Sequence, residues 1–493
     1  MLPTLVGITF LVFMLVALSP GGIGAGLRFA GGQMEASKRA QQEAYLEDRY
    51  GLDDPAVVQY ARWLGRISPI KIGPSDLVAP DGETIRPPRE TKPPPMWAWF
   101  APKLPSPAAA VRAEGVAPAD RASAYRRAAA DYATVRAASI AANAVLQQAL
   151  AEYARSIGRP DAVSPKGKIR ASRLASQTPD RSSPAWPAAE RAANAALAAY
   201  AAASDARARL RAAFDAGPYP KSGVAILPGV RLAWPDLGVS FSRGRPVLDL
   251  IGRALPVTLL LNLLAFPIIY LIAIPSGMLA ATRRGSWFDA ASGALFVALW
   301  SIPTVWAGVL AIGFLANDQY LGLFPVTGLH DPAAQAATFL PSTHNGRWQP
   351  GYLLDTLWHL ALPVSCLVYG GFAVLAKQTR AAMLDNFNAD YVRTAKAKGV
   401  AGRDIVIHHV FRNSLLPLIT MFVTVFPATL AGSVVIESVF SIPGMGSLIL
   451  DAINLRDREL ILANTLMVAA VNLLALLLAD VLYALADPRV SYA

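Results

Sequence analysis

Residues 385–420 read DNFNADYVRTAKAKGVAGRDIVIHHVFRNSLLPLIT, a polar and basic island between two apolar blocks that are each long enough to cross a membrane. A plain connection would need only a few turn residues. This one predicts two short helices with Gly399 between them. Asn388 or Asp390 can cap the first by accepting from the free amides of its first turn, and Lys396 and Lys398 stand where the helix dipole favours cations. Gly399 ends it, because glycine takes a left-handed conformation without a Cβ clash. The second helix begins near Arg403 and Asp404 and runs through Phe411, Arg412 and Asn413 into an apolar helix entered by Leu416 and Pro417. The plainer reading is a basic juxtamembrane loop held by lipid headgroups.

Tyr391-Val392-Arg393-Thr394-Ala395-Lys396-Ala397-Lys398-Gly399, followed by Arg412-Asn413 and Leu416-Pro417, resembles the "EAA" loop of ABC-transporter permeases in the form of the dipeptide/oligopeptide/nickel branch. The general pattern has Glu-Ala-Ala, three residues and Gly. Here Arg393-Thr394-Ala395 stands in its place, as is typical of the peptide branch, and Ala395 and Gly399 match. The resemblance implies that Tyr391, Val392, Arg393, Thr394, Ala395, Lys396, Ala397, Lys398 and Gly399 form an ATPase-coupling loop on the cytoplasmic face. Its docking face would be Tyr391, Val392 and Ala395.

Composition agrees with a polytopic membrane protein. The 493 residues are 54% hydrophobic, and the mean hydropathy is +0.37. The net charge is +11, but residues 75–235 hold 22 Lys/Arg and 13 Asp/Glu, so +9 of the +11 lies in one segment. No aromatic-interleaved basic motif accompanies that charge, which speaks against nucleic acid as the partner. The one cysteine, Cys366, excludes an intrachain disulfide and a cysteine-based metal site. No G-x-x-x-x-G-K-[ST] phosphate loop is present, so ATP would be hydrolysed on another chain. The adjacent His408 and His409 point to different faces of a helix and make no metal site. No cofactor or catalytic residue is expected in this chain.

Six apolar blocks stand out, at 2–18, about 254–281, 289–315, 354–376, 410–435 and 459–486. A signal peptide competes for the first, against which stands the lack of Lys or Arg before it. Six spans put both termini on one side. Arg283 and Arg284 fall in one short loop, and Lys377, Arg380, Arg393, Lys396, Lys398 and Arg403 in another on the same side, which the positive-inside rule makes the cytoplasm. Prolines 256, 275, 303, 363 and 417 require protein or water to satisfy the carbonyls they free. Asn262, Asn472 and Asp480 are expected to point inward or lie near an interface.

Further phrases resemble peptide-type permeases in the same order. They include Ser19-Pro20-Gly21-Gly22, the turn of Gly51, Leu52, Asp53 and Pro55, Leu255-Pro256-Val257-Thr258-Leu259, Ser301-Ile302-Pro303-Thr304-Val305-Trp306, the run Glu437 to Gly446, and Asp487-Pro488-Arg489-Val490. The resemblance covers residues 1–70 and 234–493.

Between them lies an unmatched insertion. Its proline-dense part, Pro80 to Pro107, reads as extended linker. Two Ala/Arg-rich stretches, about 118–157 and 187–214, predict a helical hairpin with a seam of Tyr125, Tyr132, Val135, Leu146, Leu150 and Tyr153 against Leu197, Tyr200, Leu210 and Phe214. The alternative is a segment ordered only by a partner. Its arginines offer a cationic face for an extracytoplasmic partner.

The expected architecture is all-α integral membrane: six transmembrane helices of ABC-importer permease type with a large Ala/Arg-rich helical extracytoplasmic insertion. Residues 1–74 hold the first span and the start of the extracytoplasmic region, 75–233 the insertion, and 234–493 the permease core with cytoplasmic loop 378–408. The resemblance implies a multi-pass protein of the cell (inner) membrane with both termini cytoplasmic. Its partners would be a second homologous permease, two ATP-binding subunits and an extracytoplasmic solute-binding protein, importing peptides or similar small solutes through the lipid bilayer. A membrane-anchored scaffold or receptor that uses the insertion for partner binding is the other reading.

Overall fold

The computed structural model describes the chain except Met1 and residues 19–49, 52–53, 74, 81, 83, 108–116, 165–166, 175–176, 333, 335–336, 345–346, 431–433 and 487–493. The phrases at Ser19–Gly22 and Asp487–Val490, and the middle of the turn at 51–55, therefore lie outside the described residues. The chain divides into two compact units, residues 1–16 with 238–493, and residues 17–237. Helix α1 (Leu2–Leu18) opens the chain, with Phe13 fully buried and Thr9 donating to the carbonyl of Leu5 at 2.8 Å.

The unit of residues 17–237 contains the whole expected insertion and residues on either side of it. Helix α2 (Ala56–Ile67) leads into strand β1 (Ile70–Ile72), followed by the small antiparallel pair β2 (Leu77–Val78) and β3 (Thr84–Ile85). Two long helices then pack antiparallel, α3 (Pro118–Ser156) and α4 (Trp186–Asp215). Leu146, Leu150 and Tyr153 of α3 are fully buried against Trp186, Ala189, Ala193 and Ala196 of α4. Further along, Tyr132 meets Ala206 and Leu210. Alanine has little surface to bury, but its small side chain lets two helices come close enough for dispersion contacts along their length. Strands β4 (Val224–Leu227) and β5 (Val230–Leu232) follow, and β5 pairs antiparallel with both β4 and β1.

Two features of this unit differ from expectation. The proline-dense run has little regular structure, as proline dictates, yet it is no free linker. Trp97–Trp99 form a 3₁₀ turn, Phe100 stacks on Trp186 at 5.1 Å, and Trp99 meets the edge of Tyr153 at 6.0 Å. Thr91 shares a 2.9 Å hydrogen bond with the buried Ser204 of α4. The run thus supplies large rings to a seam whose alanines leave room for them. The second difference is the β1–β5 ladder, which pairs Ile70 with Leu232 and Ile72 with Val230 and so joins the two ends of the insertion. Strands of three or four residues carry too little alternation to be read from sequence.

In the other unit, α5 (Val247–Thr282) runs for 36 residues through Pro256, Pro267 and Pro275. A broken element follows: α6 (Trp287–Ser301) and α7 (Thr304–Leu310), the latter extended by a π turn over Ala311–Ala316. The two meet at 86°. The expected span at 289–315 is bent at Pro303, which has no N–H to continue the ladder. The carbonyl of Leu299, which a residue 303 amide would have met, accepts from the amide of Ile302 at 3.3 Å, and the carbonyl of Ile302 accepts from the hydroxyl of Tyr369 at 2.9 Å. Helix α8 (Gly351–Phe387) is 37 residues long.

The chain continues through α9 (Asp390–Ala397), α10 (Gly402–Asp404) and a π turn at Ile405–Phe411 into α11 (Arg412–Leu430). Last come α12 (Val434–Val439), α13 (Met445–Asn454) and α14 (Arg458–Ala486). Among the described residues, α5, α8 and α14 are long and apolar enough to cross a membrane, and the bent pair α6–α7 makes four. All six expected apolar blocks contain helix.

Helices α5 and α8 form the spine of this unit. Leu261, Ala265, Ile269 and Ala273 share a buried core with Leu360, Val364, Ala373 and Ala376. A Cβ built on Gly277 would lie 2.6 Å from the carbonyl oxygen of Ala376, so only glycine permits this approach. Asn262 is buried and donates to the carbonyl of Thr258 at 2.7 Å, as a polar group inside an apolar layer must. Asn472 and Asp480 lie on the exposed side of α14.

Candidate functional site

The polar island folds as a helix docked on the ends of the spine. Gly399 has φ +75°. Its amide donates to the carbonyl of Lys396 at 3.0 Å, and that of Val400 to Ala395 at 3.2 Å. These two bonds are the Schellman closure of a helix end, and Val400 packs back beside Ala395 as that motif favours. No side chain caps the other end. The N-cap residue is Ala389, the Asn388 amide turns back to the carbonyl of Leu384 at 3.4 Å, and Asp390 lies exposed 3.6 Å from Arg393. The expected cap by Asn388 or Asp390 is thus absent. Asp390 still stands in the first turn, where its charge complements the helix dipole.

Burial divides α9 lengthwise. Val392 and Ala395 are 1% and 6% exposed. They pack with Ala281 of α5, Met383 of α8, and Ile405 and Val410 of the following turn. Tyr391, Arg393, Thr394, Lys396, Ala397 and Lys398 face outward. This corrects the expected docking face: Val392 and Ala395 are the root of the helix, and the six exposed residues are its free surface. The physical reason is spacing, since residues three apart share a face and this face already has apolar partners within the chain.

Two polar links hold this region. The Tyr391 hydroxyl donates to Asn386 Oδ1 at 2.6 Å, and Asn386 Nδ2 donates to Ser414 Oγ at 3.1 Å, joining α8, α9 and α11. Arg380 of α8 grips Asp289 of α6 through two parallel bonds of 2.6 and 2.8 Å, while Asp289 also accepts from the amide of Gly285 at 3.0 Å. A bidentate pair of this kind fixes orientation as well as distance. It ties the short loop carrying Arg283 and Arg284 to the helix that leads into the island.

Two further clusters went unnoticed in the sequence. Glu437 of α12 is fully buried. Thr258 of α5 donates to its Oε1 at 2.9 Å, the amide of Ser447 donates to its Oε2 at 3.0 Å, and the amide of Met445 donates to the Thr258 hydroxyl at 2.8 Å. A Cβ on Gly444 would lie 2.5 Å from the carboxylate. The buried acid thus folds the start of α13 against α5 and α12. The other cluster caps α14. Asp457 accepts from Leu460 N at 3.3 Å and from Ser240 Oγ, Ser242 Oγ and Ser242 N at 2.5, 2.8 and 3.0 Å. Next to it, buried Arg458 pairs with Glu459 at 2.7 Å between the rings of Phe13 and Phe241. An acid isolated among apolar residues was the available signal for Glu437.

The described residues of this unit thus comprise three long apolar helices, a broken fourth and a short polar-faced helix rooted on α5 and α8. The family model described as "Binding-protein-dependent transport system inner membrane component" matches residues 273–492. The "Oligopeptide transport system permease protein AppB" of Bacillus subtilis (strain 168) is 38% identical over 259 residues, 52% of this chain and 76% of that protein. The "Di/tripeptide transport system permease protein DppB" of Pseudomonas aeruginosa (strain UCBPP-PA14) is 36% identical over 265 residues, 53% and 78% of the two chains. Among solved structures, the inward-facing MetNI methionine ABC transporter matches with TM-score 0.34 and 15% identity over 49% of this chain and 97% of that one, a likeness too slight to bear on the fold. The chain belongs to the family of binding-protein-dependent transport inner-membrane components, and is an ABC-transporter permease subunit.

Proposed function

We propose that this permease, paired with a second permease chain, forms the path by which a peptide-type importer moves peptides or similar small solutes, driven by two separate ATP-hydrolysing subunits and fed by a solute-binding protein. The names of its relatives support peptides as the substrate class. In this reading the protein lies in the cell membrane with residues 378–408 and both termini on the cytoplasmic side, and with 75–233 outside.

The observation that carries the coupling role is the lengthwise division of α9, with an apolar root inside the chain and a polar, cationic surface outside. A helix serving only to reverse the chain needs no such surface. Residues Tyr391, Arg393, Thr394, Lys396, Ala397 and Lys398 meet the ATPase, while Val392, Ala395 and Gly399 hold the helix at its angle. Substrate-stimulated ATP hydrolysis by the assembled complex in liposomes tests this. The double substitution R393E/K396E leaves the root intact and reverses the exposed charge, and is expected to lower coupling about tenfold or more, the effect of losing ~1.4 kcal/mol of docking energy. Coupling at the level of the unsubstituted complex would remove α9 from the ATPase interface.

A further inference from the structure

The β1–β5–β4 sheet has two unlike faces. Residues directly opposite one another in a ladder project to the same side, and successive residues alternate. Ile70 faces Leu232 and Ile72 faces Val230. Val224 faces Leu232 and, past a register shift between Ala225 and Leu227 that restores the phase, Leu227 faces Val230 across the other edge of β5. One side of the sheet is therefore wholly aliphatic. Lys71 and Arg231, opposite each other, are on the reverse side. There they are committed: Lys71 Nζ donates to the carbonyl of Gly65 at 3.1 Å, and Arg231 donates to the carbonyls of Ser222 and Gly223 at 2.7 Å each.

The aliphatic side is bare. Ile72 is 83% exposed, Val224 71% and Leu227 63%, with Ile70 and Leu232 about half exposed; Trp234, two residues beyond the strand, is 93% exposed. A contiguous apolar surface of this kind marks an interaction site. We propose that this face lies in the interfacial layer of the bilayer.

Three observations favour lipid over a protein partner. None of the six aliphatic residues is accompanied on that face by a charged or hydrogen-bonding side chain that would fix the register of a protein. Tryptophan at the end of the strand is the residue that settles at the headgroup level, with its ring in the apolar layer and its N–H toward water. The chain passes from Leu232 to Val247, the first residue of a helix long enough to cross the membrane, in fifteen residues, so the membrane is within reach of the strand. A backbone as well bonded as this ladder can enter the headgroup boundary without exposing unsatisfied amides.

Nitroxide accessibility tests the assignment. Spin labels go on Ile72→Cys and Leu227→Cys, each in a Cys366→Ser background, with Ala195→Cys on the exposed side of α4 as a control. The full chain is reconstituted, alone and with its partner subunits, in vesicles of phosphatidylethanolamine and phosphatidylglycerol. The labels at 72 and 227 are expected to collide more with oxygen than with a water-soluble nickel chelate in both preparations, and the control to show the reverse. Nickel collisions at 72 and 227 equal to the control would place the face in water and overturn the proposal. Loss of both kinds of collision on adding partner subunits would assign the face to a protein and overturn it equally.

Discussion

Gly399 is required for its backbone conformation alone. A Cβ there would meet nothing within 4 Å, so crowding is no part of its requirement. Its φ of +75° is. Gly399→Leu is expected to weaken the helix end by about 1–2 kcal/mol, while Gly399→Asn, which tolerates the left-handed region, costs less. Substrate-stimulated ATP hydrolysis should follow that order, and equal activities in all three proteins would show that the turn does not set the angle of α9. That Gly399 ends the helix was legible, because left-handed glycine is a local property. The burial of Val392 and Ala395 was not, since an apolar pair on a short helix looks the same whether it faces its own chain or another. Asp54 offers a residue-scale prediction in the other unit. Burial pushes its carboxyl up, but Lys92, Arg62 and Arg89 around it prevail and hold it at about 2, below its ordinary 3.8. Its contribution to folding is therefore present above pH 3.8 and fades as pH falls toward 2. Thermal unfolding of Asp54→Asn should show a deficit at pH 7 that shrinks by pH 2.5; a deficit unchanged with pH would mean the three cations do not act through charge.

At the scale of elements, the α3–α4 hairpin rests on close approach. Ala189 is fully buried in the same cluster as Tyr153 and Trp186. Ala189→Leu adds volume where none is free and is expected to destabilise the hairpin by about 1–3 kcal/mol. Limited proteolysis of the purified chain should then cut α4 sooner than in the unsubstituted protein, and unchanged protection would show the seam to be loose. Both helices could be seen in the sequence because alanine runs have high helix propensity. The filling of their seam by Trp99 and Phe100 could not, because ring contacts between residues more than fifty apart in the chain leave no local pattern. The bend at Pro303 stands between the two cases. A proline in an apolar block announces a disturbance, but the distant partner that satisfies the carbonyl of Ile302, Tyr369, leaves no local sign.

For the whole molecule, the testable matter is sidedness. Ser204 is buried against Thr91 and is unsuited to carry a reporter, whereas Ala195 and Ala401 are exposed. In a Cys366→Ser background, a membrane-impermeant thiol reagent is expected to label Ala195→Cys in spheroplasts and Ala401→Cys only after permeabilisation. The opposite pattern would invert the topology and remove α9 from the compartment of ATP. The order of apolar blocks was enough to pose this question, since six hydrophobic runs and their flanking cations survive any detail of packing. What could not be read was the meeting of β1 and β5. In mechanical terms, that ladder takes the long hairpin out of the load path. A pull on the chain at Ile70 and Leu232 is borne by the hydrogen bonds between those strands, with α3 and α4 hanging beyond them as a side branch that carries no tension. Strain reaching the two strands would rupture the ladder before it could stretch either helix.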